Sequence, residues 1–192
     1  KCRDIETSIG KHRILDFTDF EKVGEYAIEY GGIKTPYFRI GEDIWKNAQW
    51  KVLNFIFCQR CGYNVPGIHS TCHTDLYSEH NGVRIPYSGG WHDAGDLSQQ
   101  TLQTADVTFA LLEASEKAKA SDPILASRLK EEARWGLEFV MKNRYSDGYR
   151  ASSMGLLHWL DGIVGSKDDI RTVRIQNLPF DNFLYSGYEA YA

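Results

Sequence analysis

No stretch of this chain approaches the ~20 consecutive apolar residues that a membrane-spanning helix requires, and it carries no low-complexity tract and no internal repeat. Basic residues do not predominate: 22 Lys and Arg against 26 Asp and Glu leave a net charge of −4. That balance gives no electrostatic footprint for nucleic acid or for an anionic membrane, and neither partner is expected. An initiating methionine and a signal-like segment are also missing where the chain opens on Lys1-Cys2-Arg3-Asp4, so a mature or trimmed product is expected. Cysteine is scarce, and three of the four residues (Cys58, Cys61 and Cys72, but not Cys2) crowd together beside His73. Such crowding favours a metal site over a disulfide framework.

What is present is a chain of 192 residues, enough for one domain or for one domain and part of another. Aromatic residues are plentiful, with five Trp, eleven Tyr and nine Phe. Rings in such number serve as core, and sugar-binding clefts also use them as stacking platforms. Residues 1 to 38 read as short strands: Arg13 to Phe17, then Gly24 to Tyr30, where Tyr26, Ile28 and Tyr30 fall on one face before a Gly31-Gly32 turn. Two strands do not make a stable sheet, so this segment packs on the C-terminal remainder of the chain or is the tail of a β-module.

From Gly41 the pattern turns helical. Ile44, Ala48, Val52 and Phe55 recur at helix spacing up to Cys61-Gly62. Residues 62 to 96 then read as a long irregular loop, a length that compact domains keep for function or leave disordered. A helix is expected over Leu97–Ala118, and another from Asp122-Pro123, cap and first position, to about Lys142. Residues 150 to 180 are expected to be mostly loop with weak strand or short-helix character, and Asp181 begins a further helix. Without β-α-β alternation, a doubly wound sheet is not expected.

The richest stretch is Gly89-Gly90-Trp91-His92-Asp93-Ala94-Gly95-Asp96. Two carboxylates set in a glycine-rich turn can hold a water and take its proton. The same two residues can also be turn and N-cap groups opening the next helix, and the two roles are compatible. Cys58-Gln59-Arg60-Cys61 is a bare C-x-x-C placed at a helix C-terminus, where the dipole does not favour a redox thiolate. Cys61, Cys72, His73 and His92 instead supply two thiolates and two imidazoles, a set suited to closed tetrahedral zinc; buried thiols and loop histidines without metal are the other reading.

Phe57-Cys58-Gln59-Arg60-Cys61-Gly62, Cys72-His73, Gly90 to Asp96, and Glu132 to Phe139 together resemble glycoside hydrolase family 9. Leu15-Asp16-Phe17, Gly24-Glu25-Tyr26 and Pro36 to Ile40 are similar to the junction found in its subgroup with an N-terminal immunoglobulin-like module. The resemblance implies a mainly α fold: residues 39–192 as an incomplete N-terminal part of an (α/α)6 barrel, and residues 1–38 as the last strands of an immunoglobulin-like β-sandwich. The rest of the barrel would come from the remainder of the polypeptide. It implies inverting hydrolysis of β-1,4-linked glucans, with Asp96 as general base, Asp93 holding the same water, and a coupled titration of the two acids. The general acid would be a Glu outside this chain; Glu189 has the wrong context. Cys61, Cys72, His73 and His92 would bind structural zinc, and calcium is a further cation with no assigned ligands.

Trp91 and Trp159 are candidate sugar contacts, Trp91 also a brace for the catalytic turn, and Asp168-Asp169 reads as a solvated turn. A secreted, periplasmic or cell-surface location is implied by a polymeric substrate. The resemblance leaves two alternatives, an exo-acting β-glycosidase of the same family and a zinc-stabilised carbohydrate-binding or scaffold module. This chain departs from the family's pattern in a short Cys61 to Cys72 spacing, in Cys58, and in Leu97-Ser98-Gln99-Gln100 after Asp96.

Overall fold

A computed structural model describes residues 1–158 and 169–192. The chain divides into two compact units, Lys1–Gln49 and Trp50–Ala192. Trp159 and Asp168 lie outside the described residues.

The first unit is built of antiparallel ladders. Strands β1 (Cys2–Thr7) and β2 (Gly10–Leu15) pair from Cys2↔Leu15 to Thr7↔Gly10, with Gly10 at φ +124° closing the turn. β3 (Gly24–Tyr26) pairs with β6 (Phe38–Ile40), and β4 (Glu29–Tyr30) pairs with β5 (Ile33–Lys34). The β4–β5 hairpin turns on Gly31 and Gly32, both at positive φ (59° and 79°), the backbone state that a tight two-residue hairpin loop needs. The strand expected over Gly24 to Tyr30 is thus broken at Ala27-Ile28, and its halves have different partners. Phe17, Phe20, Tyr26 and Phe38 form a small aromatic cluster at centroid distances of 4.9–6.4 Å.

The second unit centres on a helical hairpin. Helix α1 (Lys46–Cys58), which belongs to this unit from Trp50 onward, stops at Cys58, before the expected Cys61-Gly62. Helices α2 (Thr101–Ala118) and α3 (Pro123–Lys142) pack along each other, and their joint is sealed as expected: Asp122 accepts from the Leu125 N–H, with Pro123 in the first turn. Leu111, Ala118, Leu125, Leu129 and Ala133 form the buried seam, which Leu53 of α1 and Trp91 join. Gly136 allows a close approach here, since a Cβ would stand 2.3 Å from both the Trp91 ring and Thr108 Oγ1. Helix α4 (Pro179–Tyr191) lies on α2, where Phe109 meets the rings of Tyr188 and Tyr191 and Tyr188 donates to Asp106 at 3.0 Å.

Three features differ from the sequence-based expectation. The loop of residues 62 to 96 contains a hairpin, β7 (Tyr77–His80) and β8 (Val83–Pro86), turning on Asn81-Gly82. Among the described residues of 150 to 180 most are strand rather than loop: β10 (Arg150–His158) pairs antiparallel with β11 (Ile170–Gln176), and β9 (Gln99–Gln100) adds a short edge. The β11 alternation is disguised because one inward position is Arg171, whose side chain is buried and bridges to Asp75 at 3.0 Å. Asp169, expected in a solvated turn, is also buried.

Candidate active site and metal centre

Two chain segments meet as a short antiparallel clasp. The Cys61 N–H donates to the Gly90 carbonyl and the His92 N–H to the Gln59 carbonyl, each at 2.9 Å, and Arg60 and Trp91 form the bridge between them. Gly90 sits at φ +65° with Phe139 where a Cβ would be, at 2.8 Å, so only glycine passes here. The Trp135 indole also donates to the Gly90 carbonyl at 2.9 Å, tying the turn to α3.

Successive residues of an extended segment face opposite sides. Cys61 and His92 share one face of the clasp, and there they meet Cys72 and His73. Cys61 Sγ is 3.2 Å from His73 Nδ1, Cys72 Sγ is 3.3 Å from His92 Nε2, and the four ligand atoms all lie within 4.8 Å of one another. All four residues are buried, His73 holding a left-handed backbone at φ 53°. Cys72 Sγ also accepts the Gly62 N–H at 3.5 Å.

The two thiols act as one acid. Hydrogen bonding between them pushes Cys61 up, with burial adding to the shift, and holds Cys72 down, with burial opposing. A buried nest of two sulfurs and two imidazoles with converging donor atoms fits a thiophilic cation of tetrahedral preference. Calcium takes oxygen ligands, and this Cys/His set is the one group of three or more candidate ligands among the described residues. Cys58 stays outside it as the last residue of α1, its carbonyl 3.1 Å from His69 Nε2.

Asp93 and Asp96 continue from His92 into a strained turn. The Asp93 N–H donates to the Ser98 carbonyl and the Leu97 N–H to the Ala94 carbonyl, both at 3.0 Å. Leu97 occupies φ +58°, a region that bulky residues rarely enter without being held there. Ser98 serves both acids: its hydroxyl donates to Asp93 Oδ1 at 2.9 Å and its backbone N–H to Asp96 Oδ1 at 3.0 Å. The Ser98 amide holds the Asp96 carboxyl below the usual carboxylate range, against an opposing effect of burial.

Neither acid caps a helix. The residue before α2 is Gln100, which makes no capping side-chain bond, so the helix opens at Thr101 rather than Leu97. Asp93 is exposed and forms part of the wall of a 440 Å³ cavity that Trp91, His92, Gly95, Phe55 and Val107 also line; Asp96 is half-buried beside that wall. Trp91 is 5% exposed, with its indole Nε1 donating to Glu132 at 2.7 Å, the placement of a brace. Glu189 is occupied by ion pairs with Arg150 at 2.8 Å and Arg144 at 3.2 Å.

Sequence reasoning passes over Ser98, Arg60 and Glu132. Glu132 falls at the buried helical spacing of Leu129, Ala133 and Gly136, and a carboxylate on that stripe is the available signal.

Comparison with known proteins adds four findings. The curated Endoglucanase D of Acetivibrio thermocellus is 26% identical over 157 residues, which cover 70% of this chain and 25% of that protein. The crystal structure of a metagenome-derived glycoside hydrolase family 9 endoglucanase superposes with a TM-score of 0.66 at 24% identity, over 94% of this chain and 40% of that one. A Zn-binding triple mutant of the family 9 endoglucanase J30 gives a TM-score of 0.69 at 22% identity, over 93% and 38%. These likenesses show a shared fold, and the chain spans about a quarter of the curated relative. The profile of glycosyl hydrolase family 9 matches residues 45–168, a stretch that contains clasp, Cys/His cluster and acid pair together, and the chain belongs to that family.

Proposed function

We propose that this chain carries the water-activating part of an inverting hydrolase of β-1,4-linked glucans, endoglucanase-like in its substrate. The observation that carries the reading is Asp93 at the wall of the cavity, fixed through Ser98 to Asp96 on a strap that continues directly from His92. In this reading Asp96 is the general base and Asp93 holds the same water. The low Asp96 pKa keeps that residue ionised, as a proton acceptor must be. A Glu in another part of the polypeptide protonates the leaving oxygen, so one water attacks in a single displacement.

Cys61, Cys72, His73 and His92 would hold zinc. With four protein ligands it is a closed structural site, and what the metal supplies is the anchoring of the strap. Trp91 braces the same turn and offers a sugar at most one ring edge at the cavity wall. Residues 1–38 are read as the end of an immunoglobulin-like module, since their ladders have only two strands each and Ile9, Val23 and Ile33, at the β1–β2 turn, just before β3 and on β5, leave apolar side chains exposed. No described helix is long and apolar enough to cross a membrane, and export from the cytoplasm is proposed on the ground that a polymeric glucan does not enter cells.

The intact polypeptide, assayed on barley β-glucan, carboxymethylcellulose and aryl glycosides, is expected to cleave the polymers in preference to the aryl glycosides. Release of single sugars from chain ends would favour the exo-acting form. Binding of glucan without cleavage of any substrate would refute the enzyme and leave the scaffold alternative.

A further inference from the structure

The face of the clasp opposite the metal cluster is gripped by one buried carboxylate. Glu132 of α3 accepts from Arg60 Nε at 3.0 Å and from Trp91 Nε1 at 2.7 Å on the same oxygen, Oε1, while Oε2 accepts from Arg60 Nη2 at 2.8 Å. All three side chains are buried. The guanidinium is also packed by the rings of Phe57, Tyr63 and Trp135, with centroids at 4.9, 5.3 and 4.6 Å.

A buried ion pair is weak evidence for stability, because desolvating both charges offsets their attraction; its best-attested use is to fix a register. The register matters here. Arg60 and Trp91 are the paired residues of the clasp, and each is followed at once by a member of the Cys/His cluster, Cys61 and His92. Slipping one arm by a single residue would turn its cluster residue to the face away from Cys72 and His73. It would also shift Asp93, the next residue after His92. Arg60 and Trp91 can both reach Glu132 only when they stand opposite each other.

We infer that Glu132 is a positioning residue that locks the register of the two arms, and through it the placement of Asp93 and of the metal ligands. Its action on catalysis rests on the hydrolase reading proposed above; its action on the clasp does not.

The test is amide hydrogen exchange on the intact polypeptide, comparing wild type with Glu132→Gln, which removes the charge at constant shape, and with Arg60→Lys, which keeps the charge and loses the two-pronged contact. Val140→Ala, a core truncation on the same helix away from the clasp, is the control for loss of stability alone. Both clasp variants are expected to exchange about tenfold faster over residues 59–62 and 90–93, the factor that about 1.4 kcal/mol of lost local stability produces, with α2 unchanged. Their kcat is expected to fall by about the same factor at nearly constant KM. Clasp exchange at the wild-type rate, or acceleration spread evenly over α2 and the clasp as in Val140→Ala, would overturn the inference. Were the wild type inactive on every glucan, the hydrolase reading would fail while the exchange result still decided the role of Glu132.

Discussion

Removing the metal with a chelator, or replacing Cys72 by Ser, is expected to lower the melting temperature by roughly 10 °C. The four ligands are buried and their donor atoms converge, so a cation held there binds the folded chain and not the unfolded one. Such binding contributes about 3–4 kcal/mol at 100 to 1,000 times the Kd, and roughly 2–4 °C accompanies each kcal/mol in a domain of this size. Elemental analysis is expected to find one zinc per chain. Because thiols and imidazoles must lose protons to bind a metal, zinc should be released progressively as the pH falls. A chain that contains no metal, with Cys61 and Cys72 both titrating as accessible thiols and melting unaffected by chelator, would remove the site. The loss should also appear in catalysis, since His92 is a proposed ligand and Asp93 comes directly after it.

Substituting Asp96 by Asn is expected to reduce kcat by about 10²–10⁴-fold, the range for removing a positioned general base, with metal content and fold retained. The pH profile carries the sharper part of this prediction. Ser98 holds the Asp96 pKa below its ordinary value, so the base stays ionised further into acid and activity declines only as the pH falls through that lowered value. The contribution of Asp96 to stability has the same sign, complete above its unfolded pKa and lost as the pH falls through the folded one. Ser98→Ala removes the hydroxyl and keeps the backbone donor. Because that hydroxyl donates to Asp93, the variant should lower kcat through Asp93 without abolishing activity, and leave the acidic limb of kcat/KM in place. Near-normal turnover by Asp96→Asn would show that the proton is taken elsewhere.

Much of the site is legible in the sequence because its chemistry is local. Cys61, Cys72, His73 and His92 are identifiable by residue type and crowding, and the structure brings all four together. Asp122-Pro123 and Gly31-Gly32 announce a helix start and a hairpin turn, since each needs its residue type at one position. What the sequence conceals depends on contacts between distant segments. Glu132 and Arg60 lie 72 positions apart, and a charged residue on an apolar helix stripe declares its partner only once the helix is placed. Arg171 hides the β11 strand in the same way, by occupying an inward position normally held by an apolar residue. The turn after Asp93 reads as the opening of a helix because Asp favours N-caps; the positive φ of Leu97 and the pairing of Gln99 with Met154 delay that helix to Thr101.

In the proposed chemistry a water prepared by Asp93 and Asp96, rather than a carboxylate of the protein, attacks the sugar. Proton NMR of the first sugar ends released from β-1,4-glucan by the intact enzyme reads this directly, before mutarotation scrambles the anomers. The α-anomer is predicted to appear first, inverted from the β-linkage. Initial appearance of the β-anomer would contradict that chemistry, since retention requires two displacements and a covalent glycosyl-enzyme.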